Sequence, residues 1–467
     1  MTTENATTAE TPTPEATTAE AATIGPTAGA VGSAGSPAPL LIRGGRPYGE
    51  DIQDVLLVAG RIEAIGTALD APEGTEIIDA DGCIVLPGLV DLHTHLREPG
   101  GEEAETVESG TRAAARGGFT AVHAMANTTP VADTAGVVEQ VARRGDTAGW
   151  CSVRPVGAVT VGLAGQRLAE LDAMANSRAK VRVFSDDGKC VHDPVLMRRA
   201  LEYVKSFDGV IAQHAQDPRL TEGAQMHEGA VSAELGLTGW PAVAEESIIA
   251  RDVLLAQHVG SRLHVCHLST AGSVDIIRWA KQRGIEVTAE VTPHHLLLTD
   301  ENVRQFDAVF KVNPPLRTAA DVEAVRAGLA DGTIDIVATD HAPHPRDAKD
   351  REWDQAAMGM TGLETALALV QLTMVDEGRL SWRDVARVMS ETPAQIGRDE
   401  DQGQALAPGA PAHVLVWDPR PVRVADPAQH ASLSRNSPFA GLELPGLNRL
   451  TVLAGRPTVR DGEVVER

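Results

Sequence analysis

The sequence predicts an α/β fold: a (β/α)8 barrel of the TIM type, inserted into a small β-sandwich formed by both chain ends. Three observations predict it. Eight short apolar runs alternate with helical stretches over residues 88–397. Short strands separated by turn signals flank that region, over 38–87 and again over 398–467. The polar residues able to do chemistry gather at the C-terminal ends of the predicted barrel strands.

In chain order, residues 1–37 are mostly Thr, Ala, Glu, Pro and Gly. With almost nothing to bury they cannot offset the entropy of ordering, so a disordered low-complexity tail is expected there. Segments 40–45, 54–58, 62–66, 77–80 and 83–85 then read as short strands, with Ala59-Gly60-Arg61 as a turn. At the other end 413–417, 450–453 and 459–465 read the same way, with a turn at Ala454-Gly455-Arg456-Pro457. A β unit of about fifty residues buries little surface alone. The two ends are therefore expected to pair into one composite domain, leaving the middle as a continuous insertion.

The barrel strands are expected at 89–93, 121–125, 152–156, 181–184, 209–213, 262–266, 286–290 and 335–339. Helices are expected between most of them, as at 195–206 and 273–282.

Composition narrows the function. The formal charge is -24, from 41 basic against 65 acidic residues, which argues against nucleic acid and anionic membranes as partners. The four cysteines, Cys83, Cys151, Cys190 and Cys266, stand far apart and make no Cys-x-x-Cys pair, so reduced core thiols are expected. The N-terminus lacks the basic and apolar regions of a signal peptide, and no apolar run is long enough to span a bilayer. A soluble, cytoplasmic protein is expected.

The first chemical group is His93 and His95. Alternate residues of a strand share a face, so both imidazoles can reach one metal ion. Asp186 and Asp187 end the fourth strand; alone, such a pair more often shapes a turn. His214 ends the fifth strand, His267 the sixth, and Asp340, His341 and His344 follow the eighth. Each histidine alone is better read as a structural residue. Together, four histidines and at least two carboxylates at one barrel mouth make a hydrolytic metal site of one or two ions.

The run Asp91-Leu92-His93-Thr94-His95-Leu96-Arg97-Glu98-Pro99-Gly100 resembles the opening signature of the class I dihydroorotases, in the amidohydrolase superfamily. Phe184-Ser185-Asp186-Asp187-Gly188, Lys311-Val312-Asn313-Pro314-Pro315-Leu316-Arg317, Ala338-Thr339-Asp340-His341-Ala342-Pro343-His344 and Gly362-Leu363-Glu364-Thr365 are similar to its later motifs. The resemblance implies two zinc ions per subunit. One would be held by His93, His95 and Asp340, the other by His214 and His267, with Asp187 bridging. Asp187 is preferred to Asp186 because its spacing to His214 matches the family; Asp186 would orient the turn.

The implied reaction is the reversible cyclisation of N-carbamoyl-L-aspartate to L-dihydroorotate, in de novo pyrimidine (UMP) synthesis. Asp340 would move the proton between a metal-activated hydroxide and the ring nitrogen. Arg97, Asn127, Asn313 and His344 would bind substrate, with backbone groups of Met358 and Gly359 on the ring. The polar, strand-free segment 345–357 would form a lid. The family also implies a homo-oligomer and admits aspartate carbamoyltransferase as a partner.

The chain departs from the family pattern at Ala126, where Pro is usual, and at Ala215 and Gln216, where Cys and Glu are usual. Met358 stands where Phe is common. None of these removes an implied ligand. One rival reading is a hydantoinase, dihydropyrimidinase or allantoinase, which bridge their metals with a carboxylated lysine at the fourth strand. Another is a catalytically silent scaffold for aspartate carbamoyltransferase, which would have lost ligands that are all present here.

Overall fold

The computed structural model describes residues 37–466. Apart from Pro37, the expected tail over 1–37 lies outside the described residues.

Eight parallel strands close into a barrel: Leu89–Thr94, Phe119–Ala124, Ser152–Pro155, Val183–Phe184, Val210–Gln213, Leu263–Val265, Val287–Val291 and Ile336–Val337. The first three pair in order, as do the last five. Two parallel bridges join these arcs into a ring, Gly157 to Phe184 and Thr94 to His341. Every strand begins or ends within two residues of its expected bound. Helices lie between them, including the expected pair at Pro194–Val204 and Ala271–Gln282. Several open on side-chain caps, which satisfy otherwise unpaired N–H groups at the helix start. Thr106 caps Val107–Arg116, Thr270 caps Ala271–Gln282, and Thr318 caps Ala319–Ala330. Inside the barrel Leu92, Val183, Val210, Ala212 and Ile336 pack together, joined by Ile396. It is a filled core rather than a pore.

The two chain ends do form one sheet. Its strands run in the order Glu463–Val464, Arg456–Arg460, Glu443–Leu453, Val414–Val424, Ile84–Pro87, Leu40–Pro47, Gln53–Val58 and Arg61–Gly66. Glu76–Asp79 adds in parallel to Leu40–Pro47. The halves meet where Ile84–Pro87 pairs antiparallel with Val414–Val424, Leu86 opposite Leu415 and Val85 opposite Val416. Leu40–Pro47 serves both layers: its first residues pair with Gln53–Val58, while Arg46 and Pro47 pair with Ile84 and Val85.

Strand alternation then sorts the side chains. Val414 and Val416 face the inner β core with Leu40, Ile42, Val55 and Leu57. Leu415 and Trp417 face the barrel with Leu86 and Phe119. The last two long strands extend well beyond their expected bounds, to Val414–Val424 and Glu443–Leu453. Their register shifts at Val416/Trp417 and Asp418/Val422, and Pro419, Pro421 and Pro445 interrupt the apolar pattern. Alternation therefore stops signalling a strand before the pairing ends.

Leu415 is fully buried at this junction. Leu415→Ala is expected to destabilise the protein by roughly 2–5 kcal/mol, through lost burial and the cavity left behind. Comparison of denaturant midpoints with the parent checks this.

Candidate metal centre

At the C-terminal mouth of the barrel the first strand carries an irregularity. Asp91 pairs with Val122 but Thr94 with Ala124, so one extra residue is inserted between them. Bulges of this kind re-aim side chains next to functional sites. Strict alternation, as expected from the sequence, does not hold over this stretch, yet both imidazoles reach the same carboxylate. His93 Nε2 lies 3.3 Å from Asp187 Oδ1, and His95 Nε2 lies 3.3 Å from Asp187 Oδ2.

Asp187 is the hub. Its Oδ1 also lies 3.3 Å from His214 Nδ1 and 3.4 Å from His267 Nε2. Oδ1 thus faces His93, His214 and His267 from the first, fifth and sixth strands, and Oδ2 faces His95 from the first. Asp340 Oδ1 joins from the eighth strand, 3.1 Å from His95 Nε2 and 3.5 Å from His93 Nε2. Asp186 turns elsewhere: it accepts from the Val159 and Thr160 amides and the Thr160 hydroxyl, pinning the neighbouring loop.

Supporting groups set the tautomers. Asn127 Oδ1 accepts from His95 Nδ1 at 2.9 Å, and Glu290 Oε1 accepts from His93 Nδ1 at 2.6 Å. Both rings therefore turn Nε2 to the carboxylates, as metal-binding histidines do. Glu290 also accepts from His264 Nε2 and from the His267 amide, each at 3.0 Å. Glu290 is absent from the residues expected at the site, although it stands at the end of the seventh strand as the other groups stand at the ends of theirs. Asp91 accepts from the amide and hydroxyl of Thr339, tying the first strand to the eighth.

The donors fit a bound cation. The ligand atoms of His93, His95 and Asp187 form one group lying within 4.8 Å of one another, and those of Asp187, His214 and His267 form another. Ligands about 2.1 Å from a tetrahedral zinc lie about 3.4 Å apart, close to the 3.3–3.4 Å between each of the four histidine nitrogens and the Asp187 oxygen it faces. His93 Nε2 is buried without a hydrogen-bond partner among the described residues. Charge points the same way. Burial raises the pKa of Asp187, but His93 and hydrogen bonds from His214 and His267 outweigh it and hold the group well below the carboxylate range. Burial opposes a charge on His93, yet Asp187, Glu290 and Asp340 together raise its pKa well above the ordinary value. Three buried carboxylates at one point call for positive charge.

Around this cluster Arg97, His267 and Asp340 all have positive φ, at 59°, 31° and 45°. Such backbone costs a side-chain-bearing residue roughly 1–3 kcal/mol and gathers at functional sites. Arg97 Nε donates to the Pro343 carbonyl at 3.0 Å, and no described residue takes a hydrogen bond from its terminal nitrogens. Burial lowers the pKa of His344 to about 3, so it is neutral; its Nε2–H donates to the Met358 carbonyl at 2.9 Å.

Gly359 donates its N–H to the Lys311 carbonyl, and its own carbonyl accepts from Asn436. A Cβ there would lie 2.7 Å from His344 Nε2, at φ 148°. Asn436, far along the chain, also binds the His344 amide and the Ala342 carbonyl. No local pattern marks it. The segment 345–357 contains a short helix, Arg346–Lys349, and is anchored by buried Trp353 and by Lys349, which donates to the Lys311 and Ala357 carbonyls.

Comparison with known proteins places the chain in a family. Residues 82–273 match the family model described as dihydro-orotase-like. Over 413 residues the chain is 68% identical to a dihydroorotase of Leifsonia xyli, covering 88% of this chain and 94% of that one. It is 66% identical to a dihydroorotase of Streptomyces coelicolor over 91% of this chain and 99% of the relative. Among solved structures, an L-hydantoinase (dihydropyrimidinase) of Arthrobacter aurescens superposes with a TM-score of 0.81 at 25% identity, covering 91% of this chain and 97% of that one. The barrel and composite sheet are thus shared with hydantoinases, while the sequence, over nearly all of its described length, belongs to the dihydroorotase family.

Proposed function

We propose that this chain is a dihydroorotase that interconverts N-carbamoyl-L-aspartate and L-dihydroorotate at the barrel mouth, with two zinc ions held by His93, His95, Asp187, His214, His267 and Asp340. The observation that carries the reading is the carboxylate at the centre of the cluster: Asp187 lies within 3.4 Å of His93, His95, His214 and His267, where it would bridge the ions, while Lys180 and Lys189, the lysines flanking the fourth strand, are exposed. A hydantoinase-type carboxylated lysine has no place in this cluster.

When bound, the ions supply a water nucleophile ionised near neutral pH and Lewis-acid polarisation of the amide carbonyl. The chain's residues do the rest. Burial favours a neutral Asp340, but His93 and His95 outweigh it, so its carboxylate stays ionised and can accept a proton. In ring opening Asp340 takes the proton of the attacking water and returns it to the leaving ring nitrogen. In ring closure it moves the proton the other way, so one carboxylate serves both directions. Arg97, held through Nε, directs its terminal nitrogens to the substrate carboxylate. Neutral His344, donating through Nε2, keeps Nδ1 as an acceptor, and Asn127 and Asn313 complete the binding set.

The test is zinc-supplemented ring opening of L-dihydroorotate by purified protein, with hydantoin and allantoin run alongside. Turnover of L-dihydroorotate alone, lost on chelation and regained with zinc, is the expected result. Preferential turnover of hydantoin or allantoin would keep the metal chemistry and overturn the substrate.

A further inference from the structure

His214 and Asn313 stand 99 positions apart, yet one side chain joins them. Gln216 Oε1 lies 2.8 Å from His214 Nε2 and 3.1 Å from Asn313 Nδ2. At its other end Gln216 Nε2 donates to Thr221 Oγ1 at 2.9 Å.

The direction of each hydrogen bond is determined from both ends. The Thr221 hydroxyl donates its single proton to the Asp217 carbonyl at 2.9 Å, so toward Gln216 it can only accept. His214 turns Nδ1 to Asp187 and His267, at 3.3 and 2.9 Å. With a cation held between His214 and Asp187, Nδ1 would present its lone pair to the ion, so the neutral ring would carry its proton on Nε2, and that proton would require an acceptor. Both ends therefore demand the same amide orientation, with Nε2 toward Thr221 and Oε1 toward His214. Asn313 must then offer its NH2 to Oε1. Its own Oδ1 is left buried with no partner among the described residues. A buried oxygen left unpaired is costly, and a bound N–H group relieves that cost.

We propose that Gln216 is a positioning residue that holds His214 with Nδ1 toward the metal cluster and holds Asn313 with Oδ1 ready to accept an N–H of the bound ring. This rests on the cyclic-amide reading above, since those substrates carry ring N–H groups. The usual glutamate of the family would also accept from both neighbours. An apolar side chain would release both: the Asn313 amide could turn over, and His214 would lose the partner that selects its tautomer.

The experiment is a double-mutant cycle on the zinc-loaded enzyme, with zinc affinity measured separately on substrate-free protein. Gln216→Met keeps the length and removes the acceptor. It is expected to raise KM for L-dihydroorotate about tenfold, with kcat at saturating zinc within about threefold of the parent, and to weaken zinc binding about 10–100-fold. Gln216→Glu keeps the acceptor and should recover most of both losses. Asn313→Ala should raise KM alone, and adding Gln216→Met should raise it by no more than about twofold further, because the two act on one contact.

Independent, multiplicative effects on KM would overturn the proposal, as would a Gln216→Glu enzyme no better than Gln216→Met. If Gln216→Met melts early, Gln216→Ala takes its place in the cycle. If the parent opens hydantoin instead, the substrate assignment fails, while the same cycle run on hydantoin still decides the role of Gln216.

Discussion

Asp340→Asn should leave the protein folded and zinc-loaded while lowering turnover of L-dihydroorotate by about 10²–10⁴-fold, the range lost with a general acid–base group. The amide preserves the volume and one oxygen for the contacts to His95 and His93, at 3.1 and 3.5 Å in the parent. It cannot take up a proton near neutral pH. The loss should appear in kcat in both directions of the reaction, since one carboxylate would serve both. Zinc content by elemental analysis, together with kcat for ring opening and ring closure, checks this. A variant that keeps its metal and more than about a tenth of its kcat would move the acid–base role to another group.

Glu290→Ala should be the most damaging change among residues that do not belong to the implied ligand set. It removes the acceptor for three buried donors at once: His93 Nδ1, His264 Nε2 and the His267 amide. Breaking a buried charged pair from one side typically costs about 3–5 kcal/mol. Loss of a group that orients metal-binding histidines typically costs about 10–100-fold in metal affinity. Burial raises the pKa of Glu290, but His93 and His264 outweigh it and hold the group below the ordinary carboxylate range.

A depressed folded pKa stabilises the protein fully above the unfolded value of about 4.3, and that stabilisation fades as the pH falls toward the folded value. The stability gap between parent and Glu290→Ala should therefore be full at neutral pH and shrink in acid. Denaturant unfolding at pH 7 and pH 4, with zinc titrations at pH 7, reads both effects. Parental stability and zinc affinity in the variant would show that the three donors find other partners.

Much of the site could be read because barrel chemistry collects at strand ends, and strand ends show in a sequence as apolar runs meeting polar residues. His93, Asp187, His214, His267 and Asp340 all follow such runs, and the structure brings them to within 3.5 Å of one another or of the shared Asp187 carboxylate. Glu290 follows one too, but a carboxylate ending a strand also looks like an ordinary surface residue. Only its burial against His93 and His264 distinguishes it. Gln216 could be noticed as a departure from a family pattern, but not as a link between His214 and Asn313. Asn436 could not be found at all, because its three partners lie 77 to 94 positions away.

By itself the sequence determined the alternation of strands and helices, the pairing of the two ends into one sheet, and which residues could meet at the barrel mouth. These follow from local periodicity and from the need of short strands to bury their faces. Tertiary structure alone decided the bulge between Asp91 and Thr94, the contacts of both Asp187 oxygens, and the direction of each hydrogen bond through Glu290, Gln216 and Asn436. Hydrogen-bond direction and sub-ångström spacing depend on which distant groups arrive together after the ring of strands closes, and no local pattern carries that information.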